Sequence, residues 1–471
     1  MTNRTLVAVI DQGSTATKGG VYTLEGECLE AATRPVERFV DGPSVRNDAG
    51  RIADDVEAIL DELTSKHPID AIGLACQRST CLLWDRQTGE PLTDALSWQD
   101  RSQSERVGAI EEHAATVAER TGLRLSPYYS APKLAALLQE TDGAGDRAEA
   151  GELVAGTLDA FLVHRLTSRP STEPGIAGRT LLYNLESDTW DDNLCALFDI
   201  PHAALPDLAT SAGPRGAWRD IPLLAVAGDQ QASLVGHGGW RRGTVAAHFG
   251  TGAFVLASTG PDLVRHTGLL TAVLASTPRG RRLQIEGSVN SAGSAVDWAR
   301  ALVGADLRDW AERPLPGDVP LVLPAFTGLA APWWEAEATG VVAGHGLETS
   351  GDDLLAGVLS GVAHRVLDCV EAVREAGVDT SVLRLSGKLT RLAGLVRLLA
   401  DAGQIPVEVS AEEETGNLGL VRLLHSQIDA TDTLLLAPSP TRQRIEPGWS
   451  EARADAVRSE WHEFRRRAMG M

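Results

Sequence analysis

Residues 5–20 read TLVAVIDQGSTATKGG. A run of Leu, Val and Ile, fit for a buried strand, stops at Asp11-Gln12-Gly13. Small hydroxyl residues follow, and a second apolar strand is predicted over 19–25, with a third over 28–36. Backbone N–H groups of Gly13, Ser14 and Thr15 can converge in such a turn into an anion-binding concavity, with the hydroxyls adding donors. Asp11 stands too close to a phosphate held there to touch it without repulsion. A divalent cation resolves that conflict, because Mg²⁺ is held by a carboxylate plus substrate phosphates and keeps several waters. The bland alternative is a strand-end turn with a capping aspartate. The chain has no G-x-x-x-x-G-K-[ST], the usual phosphate cradle at a helix start.

Residues 243–259, GTVAAHFGTGAFVLAST, repeat the pattern about half a chain later. An apolar strand again runs into a small Gly-Thr-Gly turn and a second apolar strand leaves it. Two such units, each opening a half-chain, predict duplicated α/β domains. The remaining pattern agrees: strands are predicted at 69–76, 223–228, 382–387 and 406–410, and helices at 105–113, 131–140, 352–376 and 392–401. Ser350 with Asp353 reads as a capping box for the long helix. The glycine-rich stretch 234–243 marks the join, giving domains 1–238 and 239–471. A charged helix at 450–468 is expected to be a solvated closing element.

Bulk composition narrows the partners. The 471 residues, 43% of them hydrophobic, can bury a sizeable core, and the net charge is −21 with no long basic tract. Nucleic acid and anionic membrane surfaces are therefore not expected as partners. A polyanion has to be drawn in by local amides or a metal against the overall field. The lysines are Lys18, Lys66, Lys133 and Lys388. The five cysteines are scattered and lack C-x-x-C spacing, so neither a zinc site nor a disulfide framework is predicted. No segment reads as a signal peptide or a membrane span, and a cytoplasmic location is the expectation.

Two further stretches carry chemistry-bearing residues. LLAVAGDQQASL (223–234) places Asp229 at a strand end, followed by Gln230. A carboxylate there can take the proton of an attacking hydroxyl, or simply cap the next helix. The stretch at 77–101 offers Arg78, Trp98, Gln99, Asp100 and Arg101, and SPYYS (126–130) offers Tyr128. Flat rings with guanidinium and amide groups can grip a polyol, although a core tryptophan and surface arginines read equally from the residues alone.

At this point the chain resembles the FGGY carbohydrate kinases, and among them the glycerol kinases. VIDQGSTATK, CQRSTCLLWDRQTGEPL, LSWQDR, PYYSAPKL, AGDQQASL, FGTGAF, EGSVNSAGSAVDW and LSGKLTRLAGLVRLLAD carry the likeness, in order and over nearly the whole length. The resemblance implies two ribonuclease-H-like domains of the actin and hexokinase type, with a nucleotide- and substrate-binding cleft between them. It implies Mg²⁺-dependent transfer from ATP to a hydroxyl of a small-molecule polyol or sugar. Gly13, Ser14 and Thr15 match the first phosphate turn, with Asp11 at the metal, and Gly250, Thr251 and Gly252 match the second. Asp229 matches the catalytic base and Gln230 its neighbour near substrate. Arg78, Trp98, Tyr128 and Phe254 match positions lining the polyol pocket. Gly293 and Val296 fall in the segment bordering the nucleotide. A homodimer is left open.

Two departures stand out. Ser79 occupies the place of a glutamate that follows the pocket arginine in glycerol kinases, which predicts extra space and a longer polyol or sugar as substrate. Gly387-Lys388 stands where the adenine loop usually has two glycines, and Leu392 replaces a common asparagine. The rival reading is a sugar-binding or regulatory relative whose nucleotide site Lys388 spoils; intact Asp11, Asp229 and Gly-Thr-Gly count against it. An actin-like ATPase would not need Arg78, Trp98 and Tyr128.

Overall fold

The computed structural model describes residues 4–470. The chain divides into two compact units. The first comprises the chain up to Gly238 with Thr271–Leu283 and Gly416–Ala437; the second comprises Gly239–Leu270, Gln284–Thr415 and the chain from Pro438 onward. The division thus differs from a single break between 238 and 239 by two later segments that pack with the first unit.

The first unit is built on a six-stranded sheet. Its order is Ala217–Trp218, Ile221–Gly228, Ala71–Cys76, Leu6–Gln12, Ala16–Thr23, Cys28–Pro35. Leu6–Gln12 pairs antiparallel with Ala16–Thr23 across the Asp11 turn and parallel with Ala71–Cys76, which is itself parallel to Ile221–Gly228. The register aligns Gln12 with Cys76 and Cys76 with Gly228, so Asp11 and Asp229 both emerge at the carboxyl end of the parallel strands. Two strand spacings separate their strands, about 10 Å of backbone. The helix Ala49–Thr64 starts at Asp48, whose carboxylate accepts from the Arg51 amide at 2.8 Å, and it buries Ile52, Val56, Ile59, Leu60 and Leu63. A second sheet in this unit runs Phe39–Asp41, Ser44–Asn47, Ala95–Leu96, Cys81–Asp85, Leu153–Thr157.

The second unit repeats the arrangement. Val245–Phe249 and Ala253–Gly260 form an antiparallel hairpin, with the later part of the strand Gly280–Val289, from Gln284 on, beyond it; on the other side Leu383–Gly387 runs parallel to Val245–Phe249, and Val407–Ser410 parallel to Leu383–Gly387. The predicted duplication is therefore a duplication of sheet topology as well as of turns. The helix Gly351–Glu375 fills the core beside this sheet with Leu355, Val358, Val362, Val366 and Val370. Its predicted capping box forms, with the Asp353 amide donating to Ser350 Oγ at 3.2 Å and the Ser350 amide to Asp353 Oδ2 at 2.9 Å.

Two sequence expectations change. The helix predicted at 105–113 is broken into Ser104–Gly108, a 3₁₀ turn at Glu111–His113 and a helix Ala114–Thr121. Gly108 ends the first piece, in keeping with its poor helix propensity. The closing helix, Glu451–Ala468, is not simply solvated: Ala454, Arg458, Trp461 and Phe464 are buried along one face. Its charge masked an ion network. Asp368, itself buried, accepts from Arg458 at 2.8 Å, from Arg465 at 3.0 Å, from Arg365 at 3.2 Å and from the Trp461 indole at 3.1 Å. Asp368, Glu371 and His462 lie close enough together to hold an ion, but the arginines already supply the positive charge there. Among the described residues no helix is long and apolar enough to cross a membrane.

Removing one member of such a network leaves buried charge uncompensated, which costs about 3–5 kcal/mol. Asp368→Ala is expected to destabilise the protein by that order in denaturant titration, because three guanidinium groups lose their shared acceptor. A loss below about 1 kcal/mol, the range of a surface pair, contradicts the role given to the network.

Candidate active site

The turn after Leu6–Gln12 is closed internally. The Gly13 amide donates to Ala16 O at 3.0 Å, so it is not the phosphate donor the sequence suggested. The amides and hydroxyls of Ser14 and Thr15 remain as the turn's candidate anion donors. Gln12 and Gln77, which the sequence reading passed over, anchor this turn. Gln12 Nε2 donates to Gly13 O at 2.8 Å, and Gln77 Nε2 donates to Gln12 Oε1 at 3.0 Å. The residue before Arg78 is thereby fastened to this turn. Lys18 was also missed; it stands directly opposite Asp11 in the hairpin register and brings positive charge to the same end of the sheet.

Asp229 opens the helix Asp229–Gly236, but Gly228 holds the cap position and no side chain caps the helix. The capping alternative therefore gives way. The Asp229 carboxylate accepts from the Gln230 amide at 2.7 Å and lies 3.6 Å from Arg78 Nε, with about a third of the side chain exposed. Gln230 Oε1 is buried without a hydrogen-bond partner among the described residues, an acceptor that a ligand hydroxyl can satisfy.

The polyol candidates invert the bland alternative. Arg78 is buried, at 5% exposure, whereas Trp98 and Tyr128 are only half-buried. The two rings stand 5.5 Å apart, and the Trp98 amide donates to Thr80 Oγ1 at 3.1 Å, linking the ring to the Arg78 segment. The structure thus places Arg78 beside Asp229 and Trp98 beside Tyr128, with Thr80 linking the Trp98 backbone to the Arg78 segment, all within the first unit. Gln99, Asp100 and Arg101 serve otherwise: Gln99 accepts from Arg38, buried Asp100 accepts from the Val45 amide at 2.8 Å, and Arg101 is exposed. Ser79 does not open space. It is fully buried, with its hydroxyl donating to Arg179 O at 3.3 Å and its backbone at φ 64°.

In the second unit the Gly250–Gly252 turn is closed by the Gly250 amide donating to Gly252 O at 2.9 Å. Its carbonyls cap the helix Gly293–Val303: the Gly293 amide donates to Gly250 O at 3.2 Å and the Ser294 amide to Thr251 O at 3.0 Å. A Cβ on Gly293 would stand 2.3 Å from Gly250 O, so only glycine fits. The helix start is therefore occupied by protein, leaving the exposed turn itself to meet an anion. Val296 lies wholly inside the core, so the expectation that it borders the nucleotide is corrected; it supports the helix from behind. Phe254, half-buried, pairs across the hairpin with His248, whose Nδ1 lies 3.0 Å from Ser386 Oγ. His248 was not picked out from the sequence.

Gly387, rather than Lys388, is the residue of this pair packed tightly against protein. Gly387 has φ +95°, and a Cβ there would lie 2.2 Å from Phe249 O. Lys388 is exposed at the start of the 3₁₀ turn Lys388–Arg391 and is not among the residues with positive φ. Leu392 is buried in the core.

Comparison with known proteins gives a consistent result. Residues 6–236 match the N-terminal domain of the FGGY family of carbohydrate kinases and residues 245–425 its C-terminal domain. The chain is 34% identical to a glycerol kinase of Geobacter sp. (strain M21), with 98% of each chain covered. It is 34% identical to a glycerol kinase of Agrobacterium fabrum, with 89% of each covered. Among solved structures it is similar to Plasmodium falciparum glycerol kinase with ADP, with a TM-score of 0.92 and 25% identity over 99% of this chain and 98% of the other. A xylulose kinase from Brucella ovis, 20% identical with a TM-score of 0.88 over 99% and 98%, shares the fold. The two glycine-closed turns on duplicated sheets thus belong to a carbohydrate kinase, a phosphotransferase with an alcohol group as acceptor, and the chain is a member of the FGGY family.

Proposed function

We propose that the protein phosphorylates a hydroxyl of a polyol or sugar with ATP, using Asp229 as the general base. The observation that carries this reading is the Arg78–Asp229 pair. It puts a partly exposed carboxylate at the carboxyl end of a parallel strand, beside the orphaned acceptor of Gln230 and in one unit with the Trp98–Tyr128 pair. Active sites in open α/β sheets form at that end of the strands. Arg78 and Gln230 orient the acceptor hydroxyl by donating to and accepting from it. The rings of Trp98 and Tyr128 present flat faces to its carbon chain. Asp229 takes the hydroxyl proton as the oxygen attacks the γ-phosphorus, and the bond from that phosphorus to the bridging oxygen breaks to leave ADP.

In the first unit, the turn donors at Ser14 and Thr15 are proposed to receive phosphate oxygens of ATP; in the second unit, the exposed Gly250–Gly252 turn is proposed as an anion-binding turn in its own right. The Gly387–Lys388 segment is proposed to border the adenine, with Gly387 packed on the Phe249 backbone and Lys388 exposed. The residues fit a Mg²⁺ ion as well: Asp11 offers a carboxylate oxygen at the strand end, beside the turn proposed to hold the phosphates. When bound, the ion supplies charge neutralisation for the phosphate oxygens. The enclosed Ser79 removes the argument for extra space, so the length of the acceptor is left to the rings and Gln230. Against the sugar-binding, non-catalytic alternative stands the partly exposed Asp229 carboxylate beside Arg78.

Asp229→Asn is nearly isosteric but cannot accept the proton, and kcat is expected to fall about 10²–10⁴-fold. Acceptor binding, measured by calorimetry, is expected to change little. Retention of more than roughly a tenth of the rate places the base elsewhere.

Asp11→Asn is expected to raise the Mg²⁺ concentration for half-maximal rate while leaving acceptor affinity in place, because the carboxylate's task is the ion and its waters. An unchanged Mg²⁺ titration removes Asp11 from that role.

A further inference from the structure

Lys133 is a fully buried lysine on the helix Ser130–Glu140, and no step above uses it. Its ammonium donates to three backbone carbonyls: Ser79 O at 2.7 Å, Ser97 O at 2.9 Å and Tyr128 O at 3.1 Å. An ammonium has three donors, and all three are accounted for. Burial pushes its pKa down, opposed by Cys81 and Asp100, yet no carboxylate bonds to it directly.

Burying an ammonium is costly, and an apolar side chain of similar volume would pack in its place with less penalty. The acceptors show what the charge secures. Each carbonyl belongs to or adjoins a residue of the acceptor site: Ser79 follows Arg78, Ser97 precedes Trp98, and Tyr128 is itself a site ring. These carbonyls come from three separate segments, and a single ammonium bonds all three. Ser79 also holds a left-handed backbone that non-glycine residues seldom adopt, with its carbonyl taking both Lys133 Nζ and Ser130 Oγ at 3.3 Å.

We propose that Lys133 is a positioning residue of the acceptor site, setting Arg78, Trp98 and Tyr128 in register by binding the backbone of their three segments. It touches no reacting atom. The inference rests on the reading of Arg78, Trp98 and Tyr128 as the acceptor site. Its specific content is that the charge acts on acceptor recognition and not on the nucleotide.

The test is Lys133→Met in the full chain, which keeps the side-chain length and removes the charge and all three donors. Steady-state kinetics are expected to show the acceptor KM raised by about tenfold or more, since sub-ångström misplacement of binding groups has effects of that order. The ATP KM is expected to stay within about twofold, a split that a general loss of folded protein does not produce. Hydrogen exchange is expected to speed up together at 77–80, 96–99 and 126–129, with the helix Ala49–Thr64 unchanged. An unchanged acceptor KM with unchanged exchange overturns the proposal, as does an equal rise in both KM values with faster exchange throughout. Should Lys133→Met fail to fold, Lys133→Gln retains two donors and is expected to give a smaller, acceptor-selective rise in KM; equal effects on both substrates overturn the proposal there too. If the wild type turns over no polyol or sugar, the functional reading falls separately, and the exchange pattern alone decides whether Lys133 holds the three segments.

Discussion

The parallel register of Leu6–Gln12, Ala71–Cys76 and Ile221–Gly228 is the constraint on which the candidate site depends. It brings Asp11 and Asp229, more than two hundred residues apart, to one end of one sheet. A shift of one residue in either pairing would turn the carboxylates' strands over and send their side chains to the opposite face. The register is specified by burial, because all three strands are almost wholly enclosed: Val7, Ala8, Ile10, Ile72, Leu74 and Val226 have essentially no exposure. Function is thus tied to core packing. The carboxylates are displayed where the apolar run ends, and where it ends is set by what the core can hold.

The second unit uses the same topology to present glycines. Gly250, Gly293 and Gly387 approach carbonyls or turns at distances that exclude any side chain at two of the three positions. In both units the first glycine of the turn spends its amide on closing the turn. The donors offered outward come from the residues after it. That economy is common to Gly13 and Gly250 and explains why neither turn needs a helix start: at Gly293 the helix amides are satisfied by the turn's own carbonyls.

Much of this was legible in the sequence. Strands, turns, the capping box at Ser350 and the duplication followed from apolar runs that stop at small residues. Candidate residues with unusual chemistry at strand ends, such as Asp11 and Asp229, were found for the same reason. What the sequence could not show was depth and pairing. Arg78 looks like a surface residue in a string of letters and is buried; Val296 lies in a segment matched to the nucleotide and faces the core. Ser79 read as a vacancy because a small residue stands where a large one is usual, whereas its hydroxyl and carbonyl are both engaged by protein. Gln12, Gln77, Lys18 and Lys133 act through partners distant in sequence, and nothing local marks them. The closing helix misled for a related reason: its arginines and glutamates hid a buried face organised around Asp368.

The central claim is that this geometry serves transfer to an alcohol and not hydrolysis of ATP. The most direct measurement is ADP release by the purified protein in the presence of Mg²⁺ and ATP, with and without a panel of polyols and sugars of three to seven carbons. The account predicts release that depends on at least one of these acceptors and yields its phosphate ester. Release at the same rate without any acceptor would contradict it, as would the absence of release with every member of the panel.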